Sequence, residues 1–337
     1  MIYITGDTHG RLERFSFDDG FRTSVSGTEN HIIICGDFGA IWHQDKWQTA
    51  ILDYLSLLPF TILFADGNHE NFDLLTSYPI TQWHGGKVQF IRKNIIHLMR
   101  GQIYEIENKR FFVMGGAACH DIQNGVLDPS LPNHEERCTE LHRKKAFFRV
   151  KGVSWWEQEL PSDEEIEEAW TNLCNSEKKI DFVISHCAPT EIQNCIIKKL
   201  GNNTYPQNRL TDFLQRVYDQ CEFQAWYCGH YHKEMTIDNL AQFLLSRCHH
   251  HQGNGGSYWH RYPLTCSFLK GSFLPFHLLN GREDEKSHQK FETAQFQIQN
   301  GTALYLYSLK SEVPCALEGQ ISLISLHKHT VFLPGHM

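Results

Sequence analysis

Along the first part of the chain, short unbroken apolar runs alternate with polar, glycine-containing stretches. Met1-Ile2-Tyr3-Ile4-Thr5 passes into Gly6-Asp7-Thr8-His9-Gly10, His31-Ile32-Ile33-Ile34-Cys35 into Gly36-Asp37, and Thr61-Ile62-Leu63-Phe64-Ala65 into Asp66-Gly67-Asn68-His69-Glu70. Runs that are apolar throughout, rather than alternating, predict strands covered on both faces. Between the second and third runs, Trp47, Ile51, Tyr54, Leu55 and Leu58 recur at helical spacing and stop at Pro59, which predicts a helix over 45–58. Strand, connection, strand, helix, strand, with polar residues at every carboxyl end, is the pattern of an α/β sheet whose chemistry sits at the strand tips.

Over residues 87–116 the pattern changes to short strands with close turns: 88–91, 95–99, 102–106 and 110–114 read as antiparallel pieces, with a hairpin turn at Glu107-Asn108-Lys109. The last piece leads into Gly115-Gly116-Ala117, with His120-Asp121 just beyond. Ser162-Asp163-Glu164-Glu165 has the form of a capping box, and Ile166, Ala169, Trp170 and Leu173 make the buried stripe of the helix it opens. The acidic run 163–168 reads as that helix's solvated face. Two further strands, 180–185 and 224–228, deliver His186 and Gly229-His230-Tyr231-His232, and a helix bearing Leu210, Phe213, Leu214 and Val217 joins them. Beyond Ser246 no steady period survives. His249-His250-His251, a glycine-rich patch at 253–256 and one strand candidate at 302–309 stand in a stretch without a motif. The expected division is a domain over 1–245 and a poorly structured or loosely attached C-terminal extension over 246–337.

Composition narrows the class. A formal charge of −8 over 337 residues counts against non-specific binding of long nucleic acid, which needs a basic surface. No apolar stretch is long enough to span a membrane and no signal-peptide pattern opens the chain, so a soluble cytoplasmic protein is expected. The 11 cysteines, odd in number and without a CxxC pair, argue against a disulfide framework or a zinc ribbon.

Asp7, His9, Asp37, Asn68, His69, His186, His230 and His232 all stand at strand ends. Singly, each has a dull explanation as a turn former or a satisfied histidine. Five strand ends that each finish in a nitrogen or oxygen ligand point together to a metal site. The set suits two divalent ions: Asp7, His9 and His232 on one, Asn68, His186 and His230 on the other, and Asp37 bridging. Two cations about 3.5–4 Å apart can grip both non-bridging oxygens of a phosphate, and a water bridging them becomes hydroxide near neutral pH. His69 is left outside the metal shell, placed to donate a proton to the leaving alkoxide or to support charge on the phosphoryl group. Glu70 could orient His69 or a ligand. A donor set of imidazole, carboxylate and amide without thiolate suits Mn, Fe or Zn, and does not suit a calcium cage.

Gly6-Asp7-Thr8-His9-Gly10, Gly36-Asp37, Gly67-Asn68-His69-Glu70, Ser185-His186 and Gly229-His230-Tyr231-His232 resemble, in order and spacing, the five signature blocks of calcineurin-like metallophosphoesterases. The resemblance covers residues 1–245. It is greatest to small bacterial and phage members, through Asn71-Phe72-Asp73 and Ser154-Trp155-Trp156. It implies an α/β fold, a four-layer α/β/β/α sandwich with two mixed sheets, and the dinuclear ligand assignment above. It also makes His120 and Asp121 candidates to line the substrate cleft. Protein Ser/Thr phosphatases continue the second block as GDxVDRG, whose arginine clamps phosphate, whereas this chain has Gly36-Asp37-Phe38-Gly39-Ala40. Arg11, Arg92 and Lys93 are conceivable substitutes. The function expected is hydrolysis of a phosphodiester or small phosphomonoester by a metal-bridging hydroxide, with a phosphorylated small molecule or nucleotide as substrate. A phosphoprotein or dinucleoside polyphosphate phosphatase is the alternative, and a catalytically silent interaction scaffold is the alternative of another class. Retention of every ligand argues against the scaffold. Trp42, Trp155 and Trp156 are read as packing residues rather than base-stacking platforms.

Overall fold

The computed structural model describes residues 1–11, 15, 30–201, 205–233 and 235–237, and the backbone of strands at 241–243, 249–252, 256–258, 295–299 and 302–306. It contains two compact units, Met1–Leu269 and Lys270–Met337. The first begins with β1 (Ile2–Thr5), β2 (His31–Ile34), helix α1 (Lys46–Ser56), β3 (Thr61–Phe64) and the single turn α2 (Phe72–Leu75). A run of strands follows: β4 (Ile80–Trp83), β5 (Gly86–Arg92), β6 (Ile95–Leu98), β7 (Gln102–Ile106) and β8 (Lys109–Met114). An excursion carries β9 (Val126–Leu127), α3 (His134–Arg143) and β10 (Arg149–Val150), and a 3-10 turn at Glu157–Glu159 leads to α4 (Asp163–Asn175). Then come β11 (Phe182–Ser185), α5 (Thr190–Leu200), α6 (Arg209–Gln220), β12 (Ala225–Cys228) and β13 (Met235–Ile237), and as backbone β14 (Ala241–Phe243), β15 (His249–Gln252) and β16 (Gly256–Tyr258). In the second unit β17 (Gln295–Gln299) and β18 (Thr302–Leu306) pair as an antiparallel hairpin.

Two mixed sheets result. The first has the order β16-β15-β1-β2-β3-β6-β5-β4, parallel from β1 to β6 and antiparallel beyond; the second runs β13-β14-β12-β11-β8-β7, parallel from β14 to β8. The apolar runs divide their side chains between three cores with period two. Ile2, Ile4, Ile33 and Leu63 of the first sheet meet Phe111, Val113, Phe182, Ile184 and Tyr227 of the second in a central core. Their neighbours Tyr3, Ile32, Ile34, Ile62 and Phe64 face Leu52, Leu55 and Leu58 at α1. On the far side, Phe112, Met114, Val183, Trp226 and Cys228 pack on Ala169 and Leu173 of α4, Ile192 and Ile196 of α5, and Leu210, Phe213, Leu214 and Val217 of α6. Three cores between four layers make the expected α/β/β/α sandwich, and they explain why the strands read as continuous apolar runs. Among the described residues no helix is long and apolar enough to cross a membrane.

Local signals hold where they are strong. Asp45 caps α1 by accepting from Gln48 N at 2.8 Å, and Ser162 and Glu165 close the capping box of α4 in both directions. Glu107 and Asn108 take φ of +52° and +58° in the hairpin turn. The acidic run of α4 is not wholly solvated, because Glu168 accepts from Lys87 Nζ at 2.6 Å and Gln102 Nε2 at 3.0 Å. Elements without a strong local signal escape prediction. Edge strand β4 is mostly exposed, α3 buries no residue at all, and α5 buries the polar Gln193 within its stripe.

One polar network joins the two sheets. Asp66, just past β3, accepts from Arg100 Nε at 2.8 Å and Nη2 at 2.5 Å and meets His97 Nε2 at 3.2 Å. Its carbonyl accepts from Gly116 N beyond β8 at 2.9 Å, and Arg100 Nη2 also donates to Gln158 O at 2.7 Å. The network is buried, and the Arg100 guanidinium, with His97, overcomes burial to hold the Asp66 carboxyl below its usual range. Arg100→Met strands a buried carboxylate, and urea denaturation at pH 7 should report a loss of about 3–5 kcal/mol. A depressed carboxyl stabilises above its unfolded pKa of about 4 and loses that contribution as pH falls. The gap between wild type and variant should therefore narrow below about pH 4.

Candidate metal centre

The candidate ligands converge through loops rather than through strand pleat. β1 ends at Thr5, so Asp7 and His9 do not share a strand face. His9, Asp37, His230 and His232 instead take the left-handed backbone, with φ of +47°, +48°, +68° and +49°. Such conformations cost on the order of 1–3 kcal/mol each in a non-glycine residue and persist only where surroundings impose them. Here the imposition is by cross-links between loops. Thr8 N and His9 N donate to Asp37 O at 3.1 and 2.8 Å, Gly10 N donates to Phe38 O at 2.9 Å, and Gly229 N donates to His186 O at 3.0 Å. Glu70 is fully buried and reaches not His69 but the turn after Asp37, accepting from Phe38 N at 2.7 Å and Gly39 N at 3.4 Å. Burial, reinforced by Asp37, pushes its carboxyl well above the usual range.

Two trios of donor atoms come within 4.8 Å of one another: Asp7, His9 and His232, and Asp7, Asp37 and His186. In the first, the Nε2 atoms of His9 and His232 face each other at 3.0 Å and lie 3.6 and 3.1 Å from Asp7 Oδ2. In the second, His186 Nε2 sits 3.3 Å from Asp37 Oδ1 and 3.2 Å from Asn68 Oδ1, while its Nδ1 donates to Cys35 O at 2.8 Å. Asn68 and His230 stand around His186 rather than inside either trio. The His230 ring is 4.9 Å from that of His186, and Asn68 Nδ2 is buried with no partner among the described residues. The Asp7 carboxylate accepts His230 N at 3.0 and 3.1 Å, and Asp37 Oδ1 accepts His69 N at 2.8 Å.

Electrostatics agree with a cation site. Burial alone would raise the Asp7 and Asp37 carboxyls, but His186 and the neighbouring imidazoles hold both below their usual range. The same carboxylates overcome burial to push His186 up to about 10, whereas burial and the charge of His186 push His230 well down. Facing imidazole nitrogens beside a carboxylate oxygen, with an orphaned amide close by, fit a divalent ion, and the nitrogen and oxygen donors fit a transition metal. Burial pushes the Cys35 and Cys228 thiols up, and neither belongs to a trio.

His69 lies beside the trios with its ring 5.3 Å from that of His9, and burial pushes it down to about 4. At pH 7 it is neutral and still offers one N–H. The rim beyond β8 carries His120, whose ring is 5.4 Å from that of His230 and 4.8 Å from that of Tyr205, with Nδ1 buried and without a partner among the described residues. Asp121 is forked by Arg149 through Nε at 3.0 Å and through Nη2, and takes the Cys119 thiol at 2.7 Å. The Arg149 bonds and charge outweigh burial and hold Asp121 at about 2. Of the basic residues read as phosphate-clamp substitutes, Arg92 pairs with Asp53 on α1 and Lys93 is exposed. Trp156 is buried against Trp42 at 5.6 Å and donates to Asp73 at 2.8 Å, a packing role. Sequence reasoning missed Arg149 and the buried Glu159, which come from a two-residue strand and a 3-10 turn that carry no local signal.

A sequence profile described as calcineurin-like phosphoesterase matches residues 1–234, the span holding every residue of this site. No curated protein matches the chain. Two glycines supply a direct test of the packing. A Cβ on Gly229 would lie 2.0 Å from Asp7 Oδ1, and one on Gly67 2.0 Å from Asp37 Oδ1. Gly229→Ala should displace the Asp7 carboxylate and lower bound metal, read by elemental analysis, while far-ultraviolet circular dichroism stays unchanged. Because His186 binds its proton up to about pH 10 without metal, metal uptake at pH 7 should release protons. Calorimetry in buffers of different ionisation enthalpy measures that release, and affinity should fall as pH is lowered.

Proposed function

Since the chain belongs to the calcineurin-like phosphoesterase family, whose chemistry is metal-dependent phosphoester hydrolysis, we propose that it is a dinuclear enzyme acting on a phosphodiester or a small phosphomonoester. The observation that carries the reading is the pair of donor trios sharing Asp7 at the carboxyl ends of β1, β2, β11 and β12. In this reading Asp7, His9 and His232 hold one ion and Asn68, His186 and His230 the other, with Asp37 between them. Manganese, iron or zinc suits the donors. Two such ions, when bound, supply Lewis-acid charge for the phosphoryl oxygens and acidify a water for attack.

The remaining work falls to the protein. Asp37 places two oxygens between imidazoles of opposite trios, with Oδ2 at 3.7 Å from His9 Nδ1 and Oδ1 at 3.3 Å from His186 Nε2. Glu70, through the Phe38 amide, fixes the turn that aims Asp37. His69, neutral at pH 7, presents an imidazole N–H to the oxygen that gathers charge as the ester bond breaks. His120, with its ring 5.4 Å from that of His230, and Asp121 are the candidates to line the substrate cleft. The substrate proposed is a phosphorylated small molecule or nucleotide.

Turnover of p-nitrophenyl phosphate and bis(p-nitrophenyl) phosphate by metal-stripped protein, with Mn²⁺, Zn²⁺ or Fe²⁺ restored, tests the proposal. Metal-restored cleavage of either ester is expected, and inertness with two ions demonstrably bound would sink it. His69→Ala should keep its metals and lose about 10²–10⁴-fold in kcat. Loss of metal in that variant would make His69 a ligand instead.

A further inference from the structure

Outside the two trios, one cation stands at the site with most of its hydrogen-bonding capacity uncommitted. Arg149 bonds Asp121 through Nε and Nη2. A guanidinium carries five N–H groups, so three remain, two on Nη1 and one on Nη2, with no partner among the described residues. The side chain is 17% exposed, so these donors are held in place yet open to a ligand. Arg149 reaches the rim of the site through Asp121, the residue after His120, whose ring lies 5.4 Å from that of His230. A second carboxyl acts on Arg149, that of Glu159, which is 2% exposed and whose two oxygens have no partner among the described residues. Burial raises that carboxyl to about 9, and the Trp156 and Cys119 amides draw it back only in part, without a hydrogen bond of normal geometry. Glu159 is therefore uncharged at pH 7 and leaves the guanidinium to Asp121 and to whatever enters the site.

The chemistry of the two ester classes decides what that is. A phosphodiester has two non-bridging oxygens sharing one negative charge, and two cations at a dinuclear centre can hold both. A phosphomonoester has a third non-bridging oxygen and a second charge. A planar guanidinium suits such an oxygen, forming charge-assisted, directed bonds that an ammonium cannot reproduce. Asp121 cancels the net charge of Arg149, so the pair offers aimed N–H groups rather than general attraction for any anion. Resting on the metal-centre reading above, we propose that Arg149, aimed by Asp121, binds the third phosphoryl oxygen and selects phosphomonoesters over phosphodiesters.

The experiment compares wild type, Arg149→Met and Arg149→Lys, each checked for metal content and thermal midpoint. Two quantities are read: kcat/KM for p-nitrophenyl phosphate and its bis ester, and calorimetric affinity for inorganic phosphate. Arg149→Met should lower monoester kcat/KM and phosphate affinity by about 10- to 100-fold, the effect of a lost charge-assisted bond. The diester should suffer at least about tenfold less, so the monoester-to-diester ratio falls. Arg149→Lys, which keeps charge but not the fork, should fall between, and it carries the test alone if the Met variant does not fold. Equal losses on both esters, or unchanged phosphate affinity, overturn the proposal. Should wild type cleave neither ester, the hydrolase reading fails by that result, and the phosphate titration still decides whether Arg149 binds the anion.

Discussion

Two carboxylates buried almost side by side are the constraint on which the rest of this structure depends. Asp7 is 5% exposed and Asp37 1%, and they belong to one trio. An ionised carboxylate taken from water costs several kcal/mol, and two of one sign near each other repel as well. The protein answers with the amides of His230 and His69 and with the imidazole of His186, which holds a proton far above its ordinary range. In the metal-free protein that imidazolium stands where cationic charge is required. The left-handed turns, the buried Glu70 under the Asp37 turn and the side-chain-free backbone at Gly67 and Gly229 all serve the same placement.

Such a site needs a frame that does not yield. Three cores lock the strands between four layers, and interiors this dense transmit displacement rather than absorb it. Strand ends are therefore fixed relative to one another although the ligands lie in loops beyond them. Asp66, held by Arg100, ties that frame together where the loop carrying Asn68 and His69 meets the exit from β8 in the other sheet.

Much of this was legible in the sequence because it is written locally. Continuous apolar runs announced strands buried on both faces, and the candidate donors follow their carboxyl ends. The capping box at Ser162 and the hairpin turn at Glu107-Asn108 were equally local. What escaped is non-local or lacks a period. α3 has no apolar stripe because it has no buried face, and α5 hides a polar Gln193 bonded to Tyr231. The left-handed backbone that brings His9 to Asp7 has no local sequence signal. The Arg149–Asp121 and Arg100–Asp66 pairs join residues separated by 28 and 34 positions. No local pattern distinguishes those arginines from surface ones such as Arg92.

The helix without a buried face has a further consequence. α3 and the paired two-residue strands β9 and β10 add nothing to the three cores apart from their immediate neighbours, yet the excursion carries Arg149 to the rim of the site. Residues whose burial is slight change at little cost to folding, while Asp7, Asp37 and the strands behind them cannot. The molecule thus separates a deeply buried candidate metal centre from a lightly buried rim. A change in the excursion that bears Arg149 therefore alters the rim while leaving untouched the burial of the two negative charges.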